Sequence, residues 1–301
     1  MRHLTSLVRT VGNGAACLAF AALLGTGCGG SNSDSTPLGV LQQRGFMVVA
    51  TDVSYVVANG KRSTPTRCPS TTMTASQLAS FDVDVSSALA QQMGVEPCFA
   101  TPPFTTIVAG NWDGQWDVGI DSITITAPRQ QVLLFTSPYY YTTAQPAAAR
   151  DSGIDTLADF AGQRVCAGAG TTYALWLSGN LMALGLPPSA VFAIPPPGIT
   201  VVEVETDVDC GAAIAAGTAT FPAYLTSNTI VASDVASGVP VVPVGAAVFL
   251  ESLAVAIDQQ NPMAEDLTGT VNVLVNALRD DGTLSRLSLK WFGVDLTHPP
   301  V

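Results

Sequence analysis

Short apolar runs alternate with longer amphipathic ones along most of this chain, and that alternation restricts the fold more than any other property of its 301 residues. Met47 to Ala50, Val118 to Ile120, Arg164 to Ala167 and Val241 to Val244 have the length and composition of buried strands. Ala75 to Met93, Tyr173 to Leu184 and Ala264 to Arg279 carry helical periodicity. A strand followed by a helix, repeated, packs as an α/β protein. With 48% apolar residues, the chain can fill two modest cores.

Within that pattern, Asp117 to Arg129 reads DVGIDSITITAPR and is followed by FTSPYYY from Phe135 to Tyr141. A strand ends in small hydroxyl residues, and an arginine follows after one short turn. One guanidinium fork flanked by hydroxyl and backbone donors suits the capture of a carboxylate. Arg129 is also the only basic residue between Arg67 and Arg150.

The same segment resembles the bacterial extracellular solute-binding proteins of the amino-acid type, the ligand-capture subunits of ABC importers. Their comparable segment reads roughly D-(apolar)-(small)-x-x-x-T-I-T-x-x-R, then F-(S/T)-x-P-Y-Y. Four further segments agree in order: Gly45 to Asp52 with Tyr55, Phe81 to Val85 running into Ala88-Leu89-Ala90, Asp159 to Val165 with Gly170-Thr171-Thr172, and Asp281 to Leu284 leading to Lys290-Trp291-Phe292-Gly293. Together they span roughly residues 40 to 296.

The resemblance implies a two-lobed periplasmic-binding-protein (type II) clamshell with a two-strand hinge, closing on its ligand. Residues 45–141 and 249–297 would form lobe one and 142–248 lobe two. It implies that Arg129 holds a ligand α-carboxylate, that Ser122 offers a carbonyl to its amine, and that Thr124 donates to its carboxylate. From lobe two, Thr171 and Thr172 would present first-turn amides to the same anion. Tyr55 would stack on the ligand side chain, and Asp52 would meet its amine or a polar side chain. One departure stands out. The family's lobe-two aspartate for the amine is missing from Gly217 to Leu225, with Leu225 or Thr226 at the aligned position. Asp121 stands where the family commonly has a small residue, so a zwitterion clamp of Asp121 and Arg129 is the expectation; a carboxylate ligand without an amine is the alternative.

The amino terminus points to export. Arg2, His3 and Arg9 precede an apolar run from about Ala15 to Leu24, too short to span a bilayer of about 30 Å, as in a secretory signal. Leu24-Gly25-Thr26-Gly27-Cys28 reads as a lipoprotein cleavage site with Cys28 acylated, giving a signal over 1–27 and a flexible tether over 28–44. Removing 1–27 takes away Arg2 and Arg9 and no acid, moving the formal net charge from −11 to −13. A basic nucleic-acid footprint is absent.

Of the six cysteines, Cys17 leaves with the signal and Cys28 takes lipid. Cys68, Cys98, Cys166 and Cys210 remain, an even number for an oxidising compartment. Three pairings exist; Cys68–Cys98 with Cys166–Cys210 is the one that leaves the lobes untied. A metal site lacks histidine, since His3 lies in the signal and His298 in the tail.

The expectation is therefore a monomeric, lipid-anchored binding protein on the periplasmic or extracellular face, with no cofactor. It would deliver a small amino acid or related carboxylate to an ABC permease. Two alternatives have a different character: a dehydratase-like enzyme of the same fold, and a ligand sensor for a membrane receptor. Lobe two offers little for catalysis, its acids lying mostly in Asp151, Asp155, Asp159 and a run from Glu203 to Asp209 that reads as a solvated connection.

Overall fold

The computed structural model describes residues 35–52 and 60–300. The signal, Cys28 and Tyr55 lie outside the described residues. Among the described residues, no helix is long and apolar enough to cross a membrane.

In the first lobe, β1 (Phe46–Ala50) lies between β3 (Glu96–Ala100) and β4 (Val118–Thr124), parallel to both. β2 (Met73–Thr74) pairs antiparallel with β3. Parallel neighbours need crossovers, and α2 (Phe81–Met93) and α3 (Phe104–Val108) provide them. Such strands are covered on both faces, which is why Val49, Ala50, Val118 and Ile120 are all fully buried and read as continuous apolar runs. Helix α2 begins at Phe81 rather than Ala75, because the Ser80 side chain accepts from the Val83 N–H and caps it there. Residues 37–44, counted with the tether, form instead a helix, α1 (Pro37–Arg44), capped by Thr36 and anchored in the first-lobe core by Leu41.

The second lobe repeats the plan: β7 (Arg164–Gly168) lies parallel between β8 (Thr200–Val204) and β9 (Ala223–Ser227), with α6 (Asp207–Ala215) as the crossover and α7 (Asn228–Ala236) following β9. The amphipathic stretch from Tyr173 to Leu184 is two short helices, α4 (Thr172–Leu177) and α5 (Leu181–Leu184), not one. Gly179 turns left-handed at φ 74°, and Asn180 caps the second helix.

Two long antiparallel strands carry the chain between the lobes: β6 (Tyr140–Ala149) outward and β11 (Phe249–Asp258) back, paired from Tyr140↔Leu253 to Ala144↔Phe249. On one side β11 pairs with β4 and with β5 (Leu133–Phe135); on the other, β6 pairs with β9 and with β10 (Val241–Pro243). The returning chain forms α8 (Ala264–Asp280) and α9 (Thr283–Phe292), whose Val271, Val275, Leu278 and Leu284 complete the first-lobe core with Phe81, Val85 and Leu89. A separate core in the second lobe gathers Phe160, Tyr173, Trp176, Leu225 and Phe249.

Both disulfides are internal to a lobe, Cys68–Cys98 on β3 and Cys166–Cys210 between β7 and α6. The second closes a loop with a sequence separation of 44. In the chain-entropy model that closure is worth at most about 4 kcal/mol. Replacing Cys166 and Cys210 by alanine is expected to lower unfolding free energy by about 2–4 kcal/mol, read from urea unfolding with midpoint and slope both fitted, since the unbridged denatured chain is more expanded.

Candidate functional site

A cavity of about 360 Å³ opens between the lobes, a size suited to a small organic ligand. Arg129 lines it from the turn after β4 and is only 7% exposed. Its Nη1 donates to the Thr124 carbonyl at 2.9 Å, and its Nη2 to the Gly170 carbonyl of the second lobe at 3.1 Å. The Phe104 ring lies 5.3 Å from the guanidinium carbon. The ion pairs among the described residues are Arg44–Asp117 and Lys290–Asp84, so Arg129 is neither locked in a salt bridge nor turned to bulk water. Burial pulls its pKa down to about 10, partly countered by Glu251 and Tyr173. A guanidinium has five N–H donors; two go to backbone carbonyls and the rest remain for an anion.

Glu251 escaped the sequence reading. It sits on the return strand β11, lines the cavity, is 1% exposed, and accepts from both lobes. Its Oε1 takes the hydroxyls of Thr124 at 2.7 Å and Thr172 at 2.6 Å; Oε2 takes Tyr173 at 2.6 Å and Thr142 at 3.3 Å. The Thr124 hydroxyl thus donates to Glu251. The available clue was an acid inside the apolar run FLESLAVAI, where a charge is tolerated only if hydrogen-bonded.

Thr171 is the N-cap of α4, accepting from the Ala174 N–H at 3.2 Å, and both Thr171 and Thr172 line the cavity. At the end of β9, Ser227 faces the cavity, while Leu225 lies in the second-lobe core and Thr226 is fully buried. No acid occupies that strand end. The run from Glu203 to Asp209 is more than a solvated connection: Glu205 and Asp207 line the cavity, and Asp207 Oδ1 accepts from the Gly168 N–H at 2.9 Å. Asp234 on α7 joins them while accepting from Tyr224.

Three acids lie together in lobe one. Asp82, at the start of α2, accepts from Tyr139 at 2.6 Å and from Ser122 Oγ at 2.8 Å. Ser122 adopts the left-handed region at φ 49°, uncommon outside glycine, with its N–H donating to Tyr139. Asp121 Oδ1 accepts from Thr51 Oγ1 at 3.2 Å and from the Asp52 N–H at 3.0 Å, while Oδ2 is buried with no partner. Burial, then the charges of Asp52 and Asp82, push the Asp121 carboxyl well above its usual range. Burial also raises Asp82. Asp121 and Arg129 thus line one cavity with different neighbours: Asp121 has Asp52 and Asp82, Arg129 has Glu251 and Tyr173. An acid with a raised folded pKa costs stability above its unfolded value of about 4 and nothing below both values. Asp121→Asn is therefore expected to raise the melting temperature of the ligand-free protein by a few degrees at pH 7 and to leave it unchanged at pH 3.

The family model for bacterial extracellular solute-binding proteins, family 3, matches residues 63–294. The chain is similar to the "Probable amino-acid-binding protein YxeM" of Bacillus subtilis, 27% identical over 292 residues, covering 93% of this chain and 95% of that protein. It is similar to the "L-cystine-binding protein TcyJ" of Escherichia coli, 27% identical over 224 residues, covering 73% and 77%. In fold it resembles a mutant of ArgBP from T. maritima, with a TM-score of 0.66 at 21% identity over 85% of this chain and 99% of that one. It also resembles "the ancestral amino acid-binding protein AncCDT-1, a precursor of cyclohexadienyl dehydratase", with a TM-score of 0.64 at 22% identity over 85% and 99%. With the two-lobed fold and a family match over most of its length, this chain belongs to the bacterial extracellular solute-binding proteins, family 3.

Proposed function

We propose that this protein captures an amino acid or a related small carboxylate between its lobes for delivery to an ABC importer. The reading rests on one observation above all: Arg129 is buried at the cleft wall, steadied by carbonyls of both lobes, and outside any ion pair among the described residues. A carboxylate entering there meets a fork already oriented and largely stripped of water. Its arrival would tighten the lobes, because the same guanidinium already reaches the Gly170 carbonyl. Thr171, Thr172 and Ser122 contribute walls and hydrogen bonds, Asp52 and Asp121 negative potential, and Tyr55 an aromatic cover. The names of relatives as amino-acid- and cystine-binding proteins support this class of ligand.

The same proposal includes lobes of 45–141 with 249–297 and of 142–248, a signal over 1–27, a lipid anchor at Cys28, an exported monomer, and binding without turnover. A second reading is favoured by one feature: Asp121 and Asp82 are buried acids with raised pKa in the cleft, the condition of a general acid. Dehydration of prephenate or arogenate by the purified protein would establish that reading.

Screening the mature domain against the twenty amino acids and small organic acids by thermal shift is expected to yield at least one ligand. Arg129→Met is expected to weaken that ligand at least about 30-fold by isothermal titration, as for truncating one partner of a buried charge pair. Undiminished affinity in this variant would reject the capture mechanism.

A further inference from the structure

We propose that Gly185 is a positioning residue for capture: its bare backbone is the seat on which the Arg129 turn of lobe one comes to rest when the lobes close. This rests on the capture reading and adds what sets the depth of closure.

The seat is built from lobe two. Helix α5 begins at the Asn180 cap and ends at Gly185, left-handed at φ 62°, whose N–H donates to the Leu181 carbonyl. Leu184, fully buried in the second-lobe core, fixes that end. The Gly185 carbonyl then accepts from the Ala127 N–H of lobe one at 3.1 Å. Arg129 stands in the same turn, and its Nη2 reaches the Gly170 carbonyl. Lobe two thus receives the turn at two backbone carbonyls, one for its main chain and one for its guanidinium.

The fit leaves no room for a side chain. A Cβ on Gly185 would stand 2.4 Å from Pro128 Cδ, 3.0 Å from Ala127 N and 3.3 Å from Ala127 Cβ. No rotamer change moves any of these atoms away. A Cβ on Gly170, by contrast, meets the end of the Thr105 side chain, which can turn aside. The turn is also tied to its surroundings: the Ile125 N–H donates to the Ser252 carbonyl on the return strand, the Gln130 N–H to the Thr126 carbonyl, and the Gln259 side chain to the Gln130 carbonyl. With both partners held, a displacement at Gly185 falls on the gap between the lobes and carries Arg129 away from Gly170. A ligand that needs the closed arrangement then binds only as often as the lobes can still meet.

A matched control lies in the same segment. Gly179 is left-handed at φ 74°, yet a Cβ there would have Pro195 Cγ at 4.0 Å as its nearest neighbour. Gly179→Ala therefore carries the same kind of backbone strain without the contact. Wild type, Gly179→Ala and Gly185→Ala are titrated with an equimolar mixture of the twenty L-amino acids, acetate, pyruvate and succinate, followed by tryptophan fluorescence, since Trp291 lines the cavity. Small-angle scattering at the endpoint gives the radius of gyration. Gly185→Ala is expected to raise the apparent midpoint at least about tenfold over Gly179→Ala and to lose the contraction of the wild type, at a similar melting temperature. Gly185→Asn, which tolerates the left-handed region but carries a Cβ, is expected to do the same. Adding Pro128→Ala to Gly185→Ala removes the nearest atom and is expected to restore part of the loss. The seat is overturned, and capture stands, if the Gly185 variants bind within about twofold of Gly179→Ala, or if they bind weakly yet contract like the wild type. If the wild type neither responds nor contracts, capture of these ligands and the seat fall together.

Discussion

A guanidinium held out of water between two lobes is the constraint on which the rest of this structure depends. Moving Arg129 from solvent to 7% exposure carries a desolvation cost that only fixed acceptors can offset. The acceptors come from three parts of the chain: the Thr124 carbonyl from β4, the Gly170 carbonyl from the second lobe, and the nearby Glu251 charge from the return strand. No one of these elements makes the site. It exists where they meet, and so it depends on the approach of the lobes.

Glu251 ties that approach to the hinge. The pair of strands that joins the lobes also carries the acid, and the hydroxyls of Thr124 and Thr172 reach it from either side. Close packing at this junction shows in the glycine before them: a Cβ built on Gly170, already left-handed at φ 73°, would stand 2.8 Å from Thr105 Cγ2 of the first lobe. Behind the lobe-one acids, the ring of Phe81 lies within 6.0 Å, centroid to centroid, of those of Tyr139, Tyr140 and Phe292, and Tyr140 likewise of Tyr139 and Phe292. They lower the local dielectric, which strengthens every charge effect in that corner.

Much of the fold was legible because its signals are local. β1, β4, β7 and β10 lie where short apolar runs predicted strands, and α8 covers the whole of the predicted periodic segment. The errors were local too. The start of α2 was decided by the cap at Ser80 and the break between α4 and α5 by Gly179, single residues that outweigh the periodicity around them. At the site, Arg129 could be found from its place after a hydroxyl-rich strand, and the turn from Gly170 to Thr172 from the family resemblance. The cavity-lining roles of Asp82, Glu205, Asp207, Asp234 and Glu251 could not, because nothing within a few residues of each reveals which wall it joins.

The chain alone determined an α/β protein with two cores, a lone arginine after a hydroxyl-rich strand, and an even set of cysteines, because each is written in composition or in neighbouring residues. Tertiary structure decided which acids meet, which of them are already satisfied, and which oxygen is left without a donor. Electrostatic energy depends on distance through space and on exclusion of water. Residues as far apart in sequence as Asp52, Asp121 and Glu251 acquire both only once the sheet has joined its two halves.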